Sequence, residues 1–168
     1  MSDRKQILDH QEIIQKLKRI SYQILEANID EKSIVVAGIY ENGYHIAEII
    51  VGFLKEISSL EISLCKISID KNNPIKTVSL NLKENDYQNK SVVVVDDVLS
   101  TGSTLIYSVN YFLSTPLKQL KTVVLVDRAH KKYPIHADYK GLALSTSMKS
   151  HVEVSRDEKG QFSASLVS

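Results

Sequence analysis

Tryptophan is absent and cysteine occurs once, at Cys65. A single thiol excludes an intrachain disulfide and sets a reducing, cytoplasmic compartment as the expectation. Cys65 itself reads as a small buried hydrophobe in a strand rather than a nucleophile. A dominant charge is also missing. With 21 Lys and Arg against 20 Asp and Glu, the formal net charge is +1. No bulk field therefore draws the chain to nucleic acid or to a membrane, and any RNA contact must come from a local basic face. No apolar run approaches the roughly 18 residues of a membrane span, and the polar opening from Met1 to Lys5 lacks a signal-peptide core. Three prolines and six glycines among 168 residues leave no linker-like or low-complexity tract. The expectation is one domain over residues 1–168 with an ordinary globular core.

Hydrophobic periodicity alternates between two kinds. Ile13, Leu17, Ile20 and Ile24 recur at helical spacing, as do Ile46, Ala47, Ile49, Ile50 and Phe53 further on, and then Leu105, Val109, Phe112 and Leu113. Between them lie short β-branched runs at Ile34 to Ile39, Leu60 to Ile69 and Leu120 to Val126, with a shorter strand expected at Thr77 to Leu82. Strand, helix, strand in this order predicts an α/β fold with a mostly parallel sheet, its loops at Tyr40, Asp96 and Asp127 converging on one edge. Near the end, Val152, Val154, Phe162, Ala164 and Leu166 alternate around Asp157-Glu158-Lys159-Gly160, which reads as a hairpin.

The most informative stretch is Val92-Val93-Val94-Val95-Asp96-Asp97-Val98-Leu99-Ser100-Thr101-Gly102-Ser103-Thr104. Four valines suit a strand covered on both faces, and a ligand crevice then lies beyond its carboxyl end. Asp96 and Asp97 stand there, able to accept hydrogen bonds from vicinal hydroxyls or to hold Mg2+ through water. Thr101 to Thr104 open a helix whose N-H groups and hydroxyls favour a phosphate. No Gly-Lys-Ser/Thr follows, so this is not the triphosphate loop of the Walker kind.

This string resembles the phosphoribosyl pyrophosphate (PRPP) signature of the type I phosphoribosyltransferases. A second stretch, Val124-Leu125-Val126-Asp127-Arg128-Ala129-His130 followed by Tyr133 to Gly141, is similar to the family of the pyrimidine operon regulator and uracil phosphoribosyltransferase, PyrR. The resemblance implies a three-layer α/β fold with a small hood besides the C-terminal hairpin. It implies Mg2+ as cofactor, PRPP and a nucleobase as ligands, and a homo-oligomer. Asp96 and Asp97 would take the ribose hydroxyls, Thr101, Gly102, Ser103 and Thr104 the 5′-phosphate, and Tyr40, Glu41, Asn42 and Gly43 the pyrophosphate, with Val98, Leu99 and Ser100 completing the PRPP-binding string. Asp96, Asp97 and Asp127 would be the catalytic acids, with Asp97 and Asp127 addressing the metal. Arg128, Pro134, Ile135 and Ala137 would meet the base in a hood segment around Pro134 to Tyr139. Purine-using relatives carry an acid where this chain has Ser100, so Ser100 points to a pyrimidine. His130 and His136 are assigned no role as a general base.

Three departures stand out. Glu41 brings a negative charge to a loop that is usually basic. Asp70 to Lys76 is short, with Lys71 and Lys76 where relatives use arginine, and Lys lacks the bidentate fork of a guanidinium. Ser103 replaces a basic residue. On this reading, changing Glu41 to Thr together with Asn42 to Arg raises turnover of PRPP. Two functions follow: an enzyme making UMP from uracil and PRPP, or a nucleotide-sensing RNA-binding regulator with little catalysis. The basic stretches Lys16 to Arg19 and Arg128 to Lys132 read as solvated faces, which favours the enzyme.

Overall fold

The computed structural model describes residues 3–75 and 77–168; Lys76 lies outside the described residues. The order is β1 (Arg4–Leu8), α1 (His10–Ala27), β2 (Ser33–Ile39), α2 (Asn42–Ile57), β3 (Glu61–Ser68), β4 (Ser79–Leu80), α3 (Glu84–Tyr87), β5 (Ser91–Leu99), α4 (Ser103–Phe112), β6 (Gln119–Arg128), β7 (Tyr139–Leu144), β8 (His151–Arg156) and β9 (Phe162–Val167). The valine strand β5 is interior to a six-stranded sheet ordered β4-β3-β2-β5-β6-β7. All of these strands are parallel except β4, which runs antiparallel to β3.

The side-chain period of two divides the valines between both faces. Val93 and Val95 join the core built from Ile13, Leu17, Ile20 and Ile24 of α1 and Ile46, Ala47, Ile50 and Leu54 of α2. Val92 and Val94 join the opposite core with Leu105 and Phe112 of α4, Tyr87 and Cys65. Burial on both faces is why the run is apolar without interruption. The α1 helix starts where Asp9 accepts from the Glu12 N-H and Glu12 accepts from the Asp9 N-H, both at 2.8 Å, a reciprocal cap. Among the described residues no helix is long and apolar enough to cross a membrane.

The C-terminal hairpin forms as expected, with Val154 opposite Ala164 across β8 and β9. It is joined by β1, which pairs with β9 to give a separate antiparallel sheet ordered β1-β9-β8. Three elements differ from the sequence reading. The polar opening expected from Met1 to Lys5 runs into the strand β1, an edge strand in which only Leu8 is buried and which so shows no alternation. Thr77 to Leu82 contracts to the two residues of β4. The segment expected to form a hood instead leads into β7, an edge strand parallel to β6. The cover over the ligand edge comes from the hairpin sheet.

Gly43 lets the start of α2 press on the end of β5. A Cβ there would stand 2.7 Å from the Val95 carbonyl oxygen and 3.0 Å from Asp96 Cα, and backbone cannot yield as a side chain can. Gly43→Ala should therefore lower stability by about 1 to 3 kcal/mol, as overpacking does, read as an earlier urea midpoint. A midpoint equal to that of the wild type would show that α2 can slide away from β5.

Candidate functional site

Parallel register brings the loops together. Gly38 pairs with Val95, and Leu99 with Asp127, so the carboxyl ends of β2, β5 and β6 lie side by side. Asp96 is buried at 3% exposure, whereas Asp97 is half-buried. The Asp97 N-H donates to Asp96 Oδ1 at 2.8 Å and the Val98 N-H to Asp97 Oδ1 at 2.7 Å. Asn42 Nδ2 donates to Asp97 Oδ2 at 3.0 Å. Burial, and then the neighbouring Asp97 charge, push the Asp96 carboxyl well above the usual carboxylate range, opposed by the more distant Lys71 ammonium. The pair opens into a cavity of about 410 Å3 walled by Lys71, Ser100, Thr104 and residues 152–155 of β8.

Beyond the acids the chain turns through Gly102, whose φ of +88° places it in the left-handed region as the N-cap of α4. The first N-H groups of α4 have no intrahelical acceptor and point into the loop. Thr101, Gly102 and Thr104 border a small hollow of about 60 Å3 together with Asp96 and Ser100, a setting for a phosphate group. The Thr101 carbonyl accepts from the N-H groups of Lys132 (2.8 Å) and Tyr133 (3.0 Å), tying the loop to the segment after β6. Ser103 begins α4, its N-H donating to Thr101 Oγ1 at 3.3 Å.

At the pyrophosphate position the Tyr40-Glu41 peptide is cis. Lys66 Nζ lies 4.4 Å from the centre of the Tyr40 ring, a cation-π contact that brings positive charge to the loop. Glu41 is exposed at the N-terminus of α2 with no side-chain capping bond. Its charge suits the helix dipole there, which accounts for an acid at this place. The Asn42 amide nitrogen is held within the fold. Besides Asp97, its amide donates to the Val154 carbonyl of β8 at 2.8 Å.

The base side differs more from expectation. Arg128 is buried, and most of its donors are met within the protein. Nη1 donates to Ser100 Oγ at 3.1 Å, Nε and Nη2 to Thr146 Oγ1 at 3.2 and 2.9 Å, and Nη2 also to the Ser150 carbonyl at 2.5 Å. Arg128 thus braces Ser100 and the segment 146–150, and it lines the cavity beside Ser100 as well. The Ala137 side chain is buried in the core around Phe112, and that of Ile135, half-buried, packs on the same core with Cγ2 against Gly102. Pro134 is exposed on the same segment. The space available for a base is a cavity of about 560 Å3 lined by Ser100, Thr101, Arg128, His130, Lys132 and Met148 among others. Lys66, Met148 and β8 were not singled out from the sequence. A lysine beside the apolar Cys65 and Ile67 was the one local signal for Lys66.

Asp127 does not join Asp97. Its buried carboxylate sits between Lys131 Nζ at 2.9 Å and Lys140 Nζ at 3.2 Å, bordering a different cavity. The Lys131 contact is ionic without hydrogen-bond alignment, leaving Oδ1 with no hydrogen-bond partner. Among the described residues no group of three or more His, Cys, Asp or Glu is arranged to hold a metal ion. A Mg2+ bound through one or two carboxylates and substrate oxygens needs no such cage. Asp96 and Asp97, two adjacent carboxylates with no lysine or arginine paired to them within 4 Å among the described residues, fit that description; Asp127, already matched by two lysines, fits it less well.

The raised Asp96 pKa carries a stability consequence. Below the ordinary carboxylate range the group is protonated in both folded and unfolded chains and contributes nothing. As pH rises from that range through the raised folded value, the folded state retains a proton that the unfolded chain has lost, so stability falls. Asp96→Asn should therefore melt higher than wild type in Mg2+-free buffer, with a gap that widens as pH rises above the ordinary carboxylate range. A gap independent of pH would mean that Asp96 is ionised as readily as an exposed acid.

The phosphoribosyl transferase domain family matches residues 3–159. The Bifunctional protein PyrR of Streptococcus thermophilus is 35% identical over 157 residues, spanning 90% of this chain and 89% of that one. The Bifunctional protein PyrR of Bacillus cereus is 33% identical over 172 aligned positions, spanning 96% and 95%. The hypoxanthine phosphoribosyltransferase of Trypanosoma cruzi superposes with a TM-score of 0.74 over 95% of each chain, at 17% identity. A hypoxanthine-guanine phosphoribosyltransferase of Bacillus anthracis gives 0.69 over 83% of this chain and 81% of that one, at 22% identity. Likeness at that level of identity speaks for the fold. The acid pair and its phosphate loop fall inside a family match that runs almost the length of the protein, and the chain belongs to the type I phosphoribosyltransferases, resembling PyrR among them.

Proposed function

We propose that the chain transfers the phosphoribosyl group of PRPP to uracil, giving UMP and pyrophosphate. The observation that carries the choice of base is Ser100, which borders both the acid-pair cavity and the larger cavity beside it. Its hydroxyl, held by Arg128, has no basicity with which to take a proton from a purine ring near neutral pH. The 31–35% identity to PyrR proteins supports the same base, whereas the hypoxanthine enzymes share the fold at lower identity.

The reaction forms a bond from a base nitrogen to the anomeric carbon as the bond to pyrophosphate breaks, with positive charge building on the ribose ring. Asp96 and Asp97 hold the ribose hydroxyls so that the anomeric carbon faces the base cavity. The N-H groups and hydroxyls of Thr101 to Thr104 anchor the 5′-phosphate. Lys66 and Lys71 bring positive charge to the pyrophosphate side, partly offset by Glu41. Val152 and Val154 of β8 help exclude water, which would otherwise hydrolyse PRPP. Mg2+, held by Asp96 and Asp97 together with PRPP, would neutralise charge on the departing pyrophosphate.

The regulatory alternative draws less from the geometry. RNA binding needs cations free to meet phosphates. Of the two basic stretches, Arg19 donates to the carbonyls of Lys140 and Gly141, and Lys131 pairs with Asp127. Both of these side chains are engaged within the fold, whereas Lys18 and Lys132 on the same stretches are exposed.

Incubation with PRPP, Mg2+ and a panel of bases should yield UMP from uracil and no IMP or GMP from purines. IMP or GMP without UMP would overturn the pyrimidine assignment. Removing the charge at Glu41 should help the leaving group, so Glu41→Gln should raise kcat/KM for PRPP about two- to fivefold, an effect that weakens as salt screens the exposed charge. An unchanged or lower value would show that Glu41 lies outside the field felt by the pyrophosphate. Adding Asn42→Arg, as the sequence alone suggested, would undo the gain by removing the amide bonds to Asp97 and Val154.

A further inference from the structure

Asn42 is the first residue of α2, yet its side chain serves two other elements. One nitrogen, Nδ2, lies 3.0 Å from Asp97 Oδ2 on β5 and 2.8 Å from the Val154 carbonyl on β8. Both partners are oxygen acceptors, so the amide must turn its NH2 toward them, and each hydrogen has one target. β8 is an edge strand of its sheet; its outward carbonyl at Val154 finds no strand partner on that side and takes the amide instead. Asp97 Oδ1 is already held by the Val98 N-H. With Oδ2 held by Asn42, the carboxylate is fixed at both ends before any ligand arrives.

We propose that Asn42 is a positioning residue that orients Asp97 for the ribose and latches β8 over the site, rather than a ligand of the pyrophosphate. This rests on the reading of the acid pair as the ribose site. The loop containing Asn42 stands at the pyrophosphate position, so the two roles differ in which part of PRPP they affect. A latch acts on the ribose through Asp97; a pyrophosphate ligand acts on the leaving group directly.

Titration calorimetry with PRPP and with inorganic pyrophosphate, both with Mg2+, separates them. Asn42→Ala should weaken PRPP about tenfold to a hundredfold, the range of a lost hydrogen bond to a charged acceptor, and leave pyrophosphate within about twofold. Asn42→Asp, of the same size, should bind PRPP no better than Asn42→Ala, because it offers a carboxylate to Asp97. It also keeps the measurement possible if the alanine variant does not fold. In an Asp97→Asn background, Asn42→Ala should add less than about twofold, since the charged acceptor has gone. Unchanged PRPP affinity in Asn42→Ala or Asn42→Asp overturns the proposal. So does an equal loss for PRPP and pyrophosphate, or a full additional loss in the Asp97→Asn background. A wild-type protein that binds PRPP but makes no UMP defeats the uracil reading and leaves this comparison intact; one that binds no PRPP defeats both.

Discussion

Two carboxylates on consecutive residues at the end of a buried strand are the constraint on which the rest of the site depends. A buried acid beside a second acid is unfavourable unless something positive or hydrogen-bonding meets it. The protein meets it only in part. The N-H groups of Asp97 and Val98 and the amide of Asn42 supply donors, and none of them carries a charge. The remaining demand is left to whatever enters the cavity. Asp127 shows the contrast on the next strand, where two lysines already match its charge. On the proposed reading the ribose hydroxyls complete the pair, whereas the charge of Asp127 is already matched within the fold.

That distinction changes how the basic residues are understood. Lys66 is held over Tyr40 and Lys71 lies across the cavity mouth, close enough to influence the site without neutralising the acids. Positive charge at the rim and negative charge at the floor suit a ligand that is anionic at its ends and rich in hydroxyls in its middle. A sugar phosphate with a second phosphate group has that pattern. Glu41 runs against it, but an acid at the start of α2 is favoured by the helix itself. Helix stability and pyrophosphate affinity therefore compete for one position.

Much of the architecture was legible because it rests on local pattern. The valine run, the acid pair, the Thr-Gly loop and the spacing of apolar residues in α1, α2 and α4 each state their environment within a few residues. The hairpin did so too, through alternation around a glycine turn. What escaped was set by partners distant in sequence. β1 has one buried residue and exists because β9 offers an edge. Arg128 looked like a base contact since it follows Asp127, but most of its donors are claimed by Ser100 and by Thr146 to Ser150. Ile135 and Ala137 look like hood residues in the sequence, and the partners of their side chains, the core around Phe112 and Gly102, lie far off along the chain. Asn42 looked like a weak substitute for a cation because its two acceptors lie 55 and 112 residues away.

The hairpin sheet joins these strands of argument. Val152 and Val154 are buried in the core shared with α1 and α2, and the same strand walls the cavity over Asp96 and Asp97. Folding of the hairpin and closure of the site are thus one packing event rather than two. A lid that moved independently would have to expose those valines to water at about 25 cal/mol per Å2 of apolar surface, which sets β8 apart from a mobile flap. Access for PRPP then falls to the segments that are not part of a core: the loop bearing Lys71 on one side and the exposed Met148 region on the other. On the proposed reading the hairpin sheet keeps a fixed wall over the ribose site, and the two loops are where PRPP would enter and leave without disturbing it.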